Sequence, residues 1–244
     1  MGNNVLVPRL FLDLRHELRR VGKERINLVP RALVTLVQRN GKRSKLYPRS
    51  QRSSFPVPLD KGNEGSGNEI GCDSSSELAT FHKAIEFSLK KLGKPKLEMK
   101  REQYDAIRAI CFERKDALAV LPTGFGKSLI YQVLLGIFDY VRSGCEPERH
   151  DSFVLVVSPL SALMRDQLKK LEEFLNVCIL QSAVEDEGKQ QVTIPKNVNK
   201  CSLLFAHPEV YVDDKNVAKM LKRKEFNKRV QAIVVDEAHL VQQW

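Results

Sequence analysis

The 244-residue sequence lacks long apolar runs and closely spaced cysteines, and each absence excludes a class of protein. No uninterrupted apolar stretch approaches the ~18 residues that a membrane-spanning helix needs, which excludes a transmembrane protein. The five cysteines lie 23 to 39 residues apart, too far for a C-x-x-C metal or redox motif, and their number is odd. This usage is typical of a reduced intracellular protein, and we expect the nucleus first and the cytosol second.

The N-terminal region also lacks a convincing secretory signal. Its apolar stretch at residues 5–14 is interrupted by Pro8, Arg9 and Asp13, and no small-residue cleavage site follows. Apolar residues recur at helical spacing between residues 10 and 21 with arginines among them, which is compatible with a short amphipathic helix. A mitochondrial targeting helix and a solvated, weakly helical tail both remain open for this segment.

Positive charge is concentrated in the first quarter of the chain. The formal net charge is +10, and residues 1–60 hold 13 Lys+Arg against 4 Asp+Glu, so the remainder is close to neutral. Residues 1–76 are rich in proline and include a Gly/Asn/Ser/Glu stretch at 62–71. Such a composition cannot bury enough apolar surface to offset chain entropy, which predicts a disordered basic tail over residues 1–76. A basic chain suggests nucleic-acid binding, but because the remainder is nearly neutral, any such contact there would have to come from individually placed groups.

From residue 77 onward, helical and strand patterns alternate. The predicted helices cover 77–91, 100–113, 127–140 and 160–175. The predicted strands cover 117–121, 153–157, 202–206 and 230–235, with 177–181 as a fifth candidate. The first four strand segments are almost entirely apolar, as in strands buried on both faces. The alternation predicts an α/β fold over residues 77–244, with a parallel sheet flanked by helices.

The first strand runs into residues 121–128 (LPTGFGKS), which open a helix. A strand, a glycine-containing loop and a helix N-terminus form an anion site, because backbone N–H groups and the helix dipole both favour phosphate. Lys127 is suited to the β- and γ-phosphates and the Ser128 hydroxyl to Mg²⁺. Leu121 stands where the strict motif has glycine, and Gly-Lys-[Ser/Thr] occurs by chance in roughly one such chain in ten. An ordinary strand-to-helix turn is the alternative.

A second motif, DEAH at residues 236–239, follows the last predicted strand. Ligands of open α/β sheets bind at the carboxyl ends of the strands, so Asp236 is expected beside the phosphate loop as a Mg²⁺ ligand. Glu237 is suited to orienting and deprotonating the attacking water, and His239 to coupling the nucleotide to a neighbouring lobe. The tetrapeptide arises by chance in roughly one chain in several hundred. Both motifs together predict an ATP-binding domain, with Lys127, Asp236, Glu237 and His239 as its catalytic residues.

Over about residues 85–244 the sequence resembles the RecQ-type DNA helicases of helicase superfamily two. The five similar motifs are residues 89–103 (LKKLGKPKLEMKREQ), 121–132 (LPTGFGKSLIYQ), 156–167 (VVSPLSALMRDQ), 203–209 (LLFAHPE) and 236–244 (DEAHLVQQW). The Gln243-Trp244 ending distinguishes RecQ-type enzymes from DEAH-box RNA helicases. The resemblance implies a RecA-like P-loop NTPase lobe.

The resemblance also implies the nucleotide-binding residues. They are Lys100, Gln103, Pro122, Thr123, Gly124, Phe125, Gly126, Lys127, Ser128 and Leu129. Gln103 would contact the adenine, and Lys100 would occupy the basic position of the family. Phe125 replaces the family's usual small residue, so its ring is expected to point away from the phosphates. Leu240 also departs from the usual cysteine.

DNA contacts are implied near the ends of the second and third predicted strands. The residues are Ser158, Pro159, Ser161, Gln167, Pro208 and Glu209. Free N–H groups and hydroxyls at the start of the helix after residue 157 suit backbone phosphates, whereas a plain capped amphipathic helix is the alternative. The basic segment 219–229 is expected to be a solvated face, with phosphate contact as second choice. His207 is expected to be non-catalytic.

The resemblance implies that an aromatic-rich loop and a second lobe with an arginine finger follow Trp244. An arginine finger is worth about 10³–10⁵ in rate, so we expect this chain to bind ATP–Mg²⁺, to hydrolyse it slowly and not to unwind DNA alone. The complete enzyme would be an ATP-dependent 3′–5′ DNA helicase acting in repair or recombination. Two alternatives are a catalytically inert nucleotide- or nucleic-acid-binding module and an RNA-dependent ATPase of the same superfamily.

Overall fold

The computed structural model describes residues 32–39, 45–48, 74–113, 115–143, 152–184 and 190–243. The strands are β1 (Ala32–Arg39), β2 (Lys45–Pro48), β3 (Ala117–Pro122), β4 (Phe153–Val157), β5 (Val177–Ile179), β6 (Gln181–Val184), β7 (Gln190–Thr193), β8 (Leu203–Ala206) and β9 (Val230–Val235). The helices are α1 (Ser74–Lys91), α2 (Arg101–Cys111), α3 (Lys127–Arg142), α4 (Ser161–Leu171), α5 (Pro208–Asp213), α6 (Lys215–Leu221) and α7 (Lys224–Arg229). None of the helices in this described part is long and apolar enough to cross a membrane.

Seven strands form the main sheet, in the order β2-β3-β1-β9-β4-β8-β5. Six of them run parallel, and β2 pairs antiparallel with β3 at one edge. Strands β6 and β7 form a separate antiparallel hairpin. The parallel direction places the carboxyl ends of β3, β1, β9, β4 and β8 at one edge of the sheet, and this edge carries both sequence motifs. The predicted parallel α/β architecture is confirmed.

Apolar side chains cover both faces of the sheet. Along β3, Ala117, Ala119 and Leu121 belong to one buried cluster, whereas Leu118 and Val120 belong to the other. The first cluster includes residues of α1, α2, α3 and α4, and the second includes residues of α5, α6 and α7. Because successive side chains of a strand point to opposite faces, strands covered by helices on both sides have to be apolar throughout. This requirement explains the apolar runs that identified the strands.

The prediction that residues 1–76 form a disordered tail was wrong for two segments, strands β1 and β2. Strand β1 lies in the middle of the sheet, with Val34 opposite Ala117 of β3 and Val234 of β9. Val34 and Leu36 are fully buried. Their segment, ALVTLVQR, is the longest apolar stretch between residues 30 and 76, so its local apolar content outweighs the polar and proline-rich composition around it. The amphipathic helix predicted between residues 10 and 21 lies outside the described residues.

Several boundaries differ from the predicted ones by a few residues. Helix α1 begins at Ser74 rather than at residue 77, and α4 covers Ser161–Leu171 rather than 160–175. The fifth predicted strand, 177–181, is divided into β5 and the first residue of β6. The division lets β5 join the main sheet while β6 turns away into the hairpin. Periodicity fixes the type of an element better than its ends, because capping and fraying decide the last turn.

Candidate active site at the carboxyl edge of the sheet

The loop between β3 and α3 has a backbone that suits a phosphate group. Gly124 and Gly126 both have positive φ, 73° and 87°, and Gly126 is the N-cap residue of α3. The positive φ of Gly126 favours glycine, and a Cβ there would lie 2.7 Å from Nε2 of Gln103 and displace that side chain. The first N–H groups of a helix have no partner within the helix. The loop therefore offers backbone donors and a positive helix end to an anion.

The acidic motif begins where β9 ends. The N–H of Asp236 donates to the Val157 carbonyl of β4 at 2.9 Å, so sheet pairing extends to the first motif residue. Glu237 follows with φ of 49°, a left-handed conformation that is uncommon outside glycine. Its N–H donates to Oδ1 of Asp236 at 3.0 Å. Backbone strain of this kind costs of order 1 kcal/mol and is found where a side chain has to be aimed.

The two motifs meet between the ends of β3 and β9. Nζ of Lys127 lies 3.8 Å from Oε1 of Glu237, and both side chains are about nine-tenths buried. On the other side, Nδ1 of the partly exposed His239 lies 3.3 Å from Oε2 of Glu237. Glu237 thus contacts two of the other predicted catalytic residues, Lys127 and His239, and Asp236 adjoins it through the backbone. Lys127 holds a buried positive charge whose partner at 3.8 Å is a carboxylate, an arrangement that suits an additional polyanionic ligand.

The pKa of Asp236 is raised well above that of an ordinary aspartate. Burial, and after it the neighbouring charge of Glu237, raise its pKa from 3.8 to about 6. The hydrogen bond from the Glu237 N–H and the charge of Lys127 oppose this rise in pKa. The side chain is almost completely buried. A carboxylate held in this way gains most from a divalent cation, because a cation stabilises the charged form that burial disfavours.

The remaining residues predicted to bind the nucleotide lie in the phosphate loop or next to it. Thr123, Gly124 and Gly126 are exposed, Pro122 and Ser128 are half-buried, and Leu129 is buried in the core. Gln103 is buried: its Nε2 donates to the Phe125 and Gly126 carbonyls at 3.0 Å each, and its Oε1 accepts from the Lys100 N–H at 2.9 Å. The Gln103 amide thus holds the loop in place. The predicted adenine contact stays a prediction.

The predicted DNA contacts divide into an exposed group and a buried group. Ser161 at the start of α4 is exposed, and its Oγ lies 2.7 Å from Nε2 of His207, the residue that follows β8. Pro208 and Glu209 come next, in the first turn of α5, where Pro208 is half-buried and Glu209 exposed. Ser161, His207 and Glu209 therefore lie on the same edge of the sheet as the phosphate loop, and the Ser161 hydroxyl and the His207 ring can contact a phosphate backbone.

Ser158 and Gln167 differ from the prediction. Helix α4 begins at Ser161, so Ser158 and Pro159 precede it instead of starting it. Ser158 is buried, and its Oγ has no hydrogen-bond partner among the described residues. Gln167 is also buried, and its Oε1 accepts from Nε2 of Gln132 at 2.8 Å. Its side chain is directed toward α3 because residue 167 lies on the face of α4 that packs against the core, which also buries Met164 and Leu171. Gln167 therefore connects two helices.

Two residues of interest were missed by sequence reasoning. Gln132 lies on α3 among buried apolar residues, and a polar residue in such a stripe signals an internal hydrogen bond. His207 was set aside because no partner lies nearby in sequence, and its partner Ser161 is 46 residues away. The basic side chains of segment 219–229 are exposed, as expected, except that of Arg229, which is half-buried and donates to the Asn199 and Cys201 carbonyls at 2.7 Å each.

The fold and the site define the class of this protein. A parallel sheet, a glycine loop with its lysine and a DEAH segment converge at one edge, as expected of a nucleotide-dependent motor lobe. Residues 100–244 match the family model described as DEAD/DEAH box helicase, and the chain belongs to this family. Use of ATP is a property of that family.

Individual relatives narrow the similarity to RecQ-type proteins. The chain is 34% identical over 134 residues to "ATP-dependent DNA helicase RecQ" of Synechocystis sp., covering 54% of this chain and 24% of the relative. It is 35% identical over 150 residues to "ATP-dependent DNA helicase hus2/rqh1" of Schizosaccharomyces pombe, covering 59% and 10%. It is 32% identical over 147 residues to "Probable ATP-dependent DNA helicase RecS" of Bacillus subtilis, covering 59% and 26%. In each case the match spans about a quarter or less of the relative.

Proposed function

We propose that this chain is the ATP-binding lobe of a RecQ-type, ATP-dependent 3′–5′ DNA helicase. The observation that carries the proposal is the 3.8 Å approach of Lys127 to Glu237, which joins the two motifs at one edge of the sheet. An ordinary strand-to-helix turn would not require a buried lysine beside a buried acidic pair. The relatives named as DNA helicases support DNA as the nucleic acid.

The residues suggest a division of roles around ATP–Mg²⁺, which when bound supplies the transferable phosphoryl group and a divalent charge. The loop N–H groups and Lys127 bind the β- and γ-phosphates. The Ser128 hydroxyl and the Asp236 carboxylate hold the cation. Glu237 accepts a proton from the attacking water, and its close contact with His239 links that base to the exposed surface.

We further propose that Ser161, His207 and Glu209 form part of the DNA surface. They lie at the carboxyl ends of β4 and β8, beyond β9 from the phosphate loop. Gln167 would act through its hydrogen bond with Gln132, which connects the helix of the DNA surface to the helix of the phosphate loop. Unwinding by the complete protein, and its presence in the nucleus, are part of this proposal.

The proposal is tested by measuring the binding of fluorescent single-stranded DNA and RNA with and without a non-hydrolysable ATP analogue. We expect DNA binding to depend on the nucleotide and to weaken in Ser161→Ala. The matched control is Ser143→Ala, at the end of α3 farthest from the phosphate loop. Nucleotide-independent binding that persists in Lys127→Ala would indicate an inert binding module instead. A preference for RNA would indicate an RNA-dependent ATPase.

A further inference from the structure

Phe125, the unusual residue of the phosphate loop, is in contact with a lysine from another element. Its ring is half-buried and packs against the core cluster on the side of α1, α2 and α3. Nζ of Lys100 lies 4.1 Å from the centroid of this ring and also donates to the Phe125 carbonyl at 3.2 Å. The ring therefore lies against the core and beside Lys100, and one loop residue engages Lys100 twice.

Gln103 reinforces this connection from the same helix. Lys100 is the N-cap residue of α2, and its backbone N–H donates to the Gln103 amide, which in turn donates to the Phe125 and Gly126 carbonyls. The Phe125 carbonyl thus accepts from both side chains. We name Lys100, Gln103 and Phe125 the loop clamp. Because it joins the start of α2 to the backbone of the phosphate loop, the clamp fixes where the Lys100 ammonium stands.

Apart from its hydrogen bond to the Phe125 carbonyl, the Lys100 ammonium depends on the ring for its position. The residue is exposed, and a lysine side chain that is ordered on binding loses up to about 2 kcal/mol of rotamer freedom. An aromatic face restrains the ammonium without using any of its three N–H donors, so donors remain for an anionic oxygen. A small residue at position 125 would lack this restraint.

We propose that Phe125 is a positioning residue for nucleotide binding: its ring holds the Lys100 ammonium at the phosphate loop, where it contacts the bound nucleotide. The inference rests on the proposed function, since it concerns the affinity of the same site. It assigns the departure at position 125 a role instead of treating it as a tolerated substitution. The aromatic face, and not only the apolar volume, is what matters.

The test is the affinity for ADP–Mg²⁺, measured by calorimetry at low salt, in a series at position 125. Phe125→Leu keeps apolar packing but removes the π face, whereas Phe125→Trp strengthens it. We expect Phe125→Leu to weaken binding about two- to five-fold and Phe125→Trp to bind at least as tightly as the natural chain. In a Lys100→Met background the three residues at position 125 should give equal affinities. The matched control is Arg101→Met, the exposed neighbouring cation, which should leave the affinity unchanged.

A spectroscopic measurement checks the clamp without nucleotide. The side-chain methylene protons of Lys100 next to the ammonium should show an upfield ring-current shift that disappears in Phe125→Leu.

Equal affinities for Leu, Phe and Trp at position 125, or the same loss of affinity in the Lys100→Met background, would overturn the inference, because Phe125 would then act by packing alone. If the folded natural chain binds no ADP–Mg²⁺, the proposed function itself fails. If the natural chain binds ADP–Mg²⁺ but all position-125 variants bind with equal affinity, the inference about Phe125 fails and the proposed function stands.

Discussion

Asp236→Asn tests whether the acidic motif is arranged for a cation at the expense of stability. Burial and the charge of Glu237 raise the pKa of Asp236 from 3.8 to about 6. A shift of about two units corresponds to about 3 kcal/mol between the protonation states. Asparagine removes the charge, keeps the size and retains an Oδ1 that accepts from the Glu237 N–H. We therefore expect Asp236→Asn to raise the free energy of unfolding by about 3 kcal/mol at pH 8.

The raised pKa of Asp236 determines how the stability of the natural protein changes with pH. Between pH 4 and 6 the folded state binds more protons at Asp236 than the unfolded chain, so the stability of the natural protein falls as pH rises. Below pH 4 the side chain is protonated in both states and carries no penalty, and above pH 6 the penalty is constant. The advantage of the asparagine variant should grow by about 2 kcal/mol between pH 4.5 and 8.

Urea unfolding in EDTA, followed by circular dichroism from pH 4.5 to 8, measures this difference. Glu172→Gln, an exposed acid just after α4, is the matched control and should change stability by less than about 0.5 kcal/mol at every pH. A stability difference that does not vary with pH, or an asparagine variant less stable than the natural chain at pH 8, would refute the reasoning.

Three further substitutions test the packing that positions the site. Leu36→Ala in the fully buried centre of β1 should lower the free energy of unfolding in urea by about 2–5 kcal/mol, and a loss below about 1 kcal/mol would argue against a central β1. Gly136→Ala should lower the melting temperature, because its Cβ would lie 2.6 Å from Cβ of Ser88; an unchanged melting temperature would contradict the contact of α1 with α3. Gln132→Leu should cost about 1–3 kcal/mol in urea unfolding by leaving the buried Gln167 amide unpaired, and a neutral result would exclude that hydrogen bond.

Sequence reasoning located the active-site motifs because both depend on local signals. The glycine loop and the DEAH segment each follow an apolar strand, and parallel strands bring their carboxyl ends to one edge. Lys127 and Glu237, 110 positions apart, could therefore be placed together before any contact was known.

The parts that could not be predicted depend on long-range contacts. Strand β1 is separated from its neighbour β3 by almost 80 residues, and nothing local indicates that the sheet has a place for it. The partner of Gln167 depends on the rotation of α4 against α3, which periodicity defines only to within about a residue. The Ser161–His207 contact likewise requires the pairing of β4 with β8. In each case the tertiary arrangement decides the contact.

The most direct test of the account is the affinity for ADP–Mg²⁺ of the natural chain and of Lys127→Ala. Lys94→Ala, an exposed lysine in the turn after α1, is the matched control, and thermal unfolding verifies that each variant is folded. The account predicts saturable, Mg²⁺-dependent binding that falls at least about ten-fold in Lys127→Ala, because a charge-assisted contact to phosphate is worth about 1.5–3 kcal/mol. Equal binding by the natural chain and Lys127→Ala, or no binding by the folded natural chain, would contradict it.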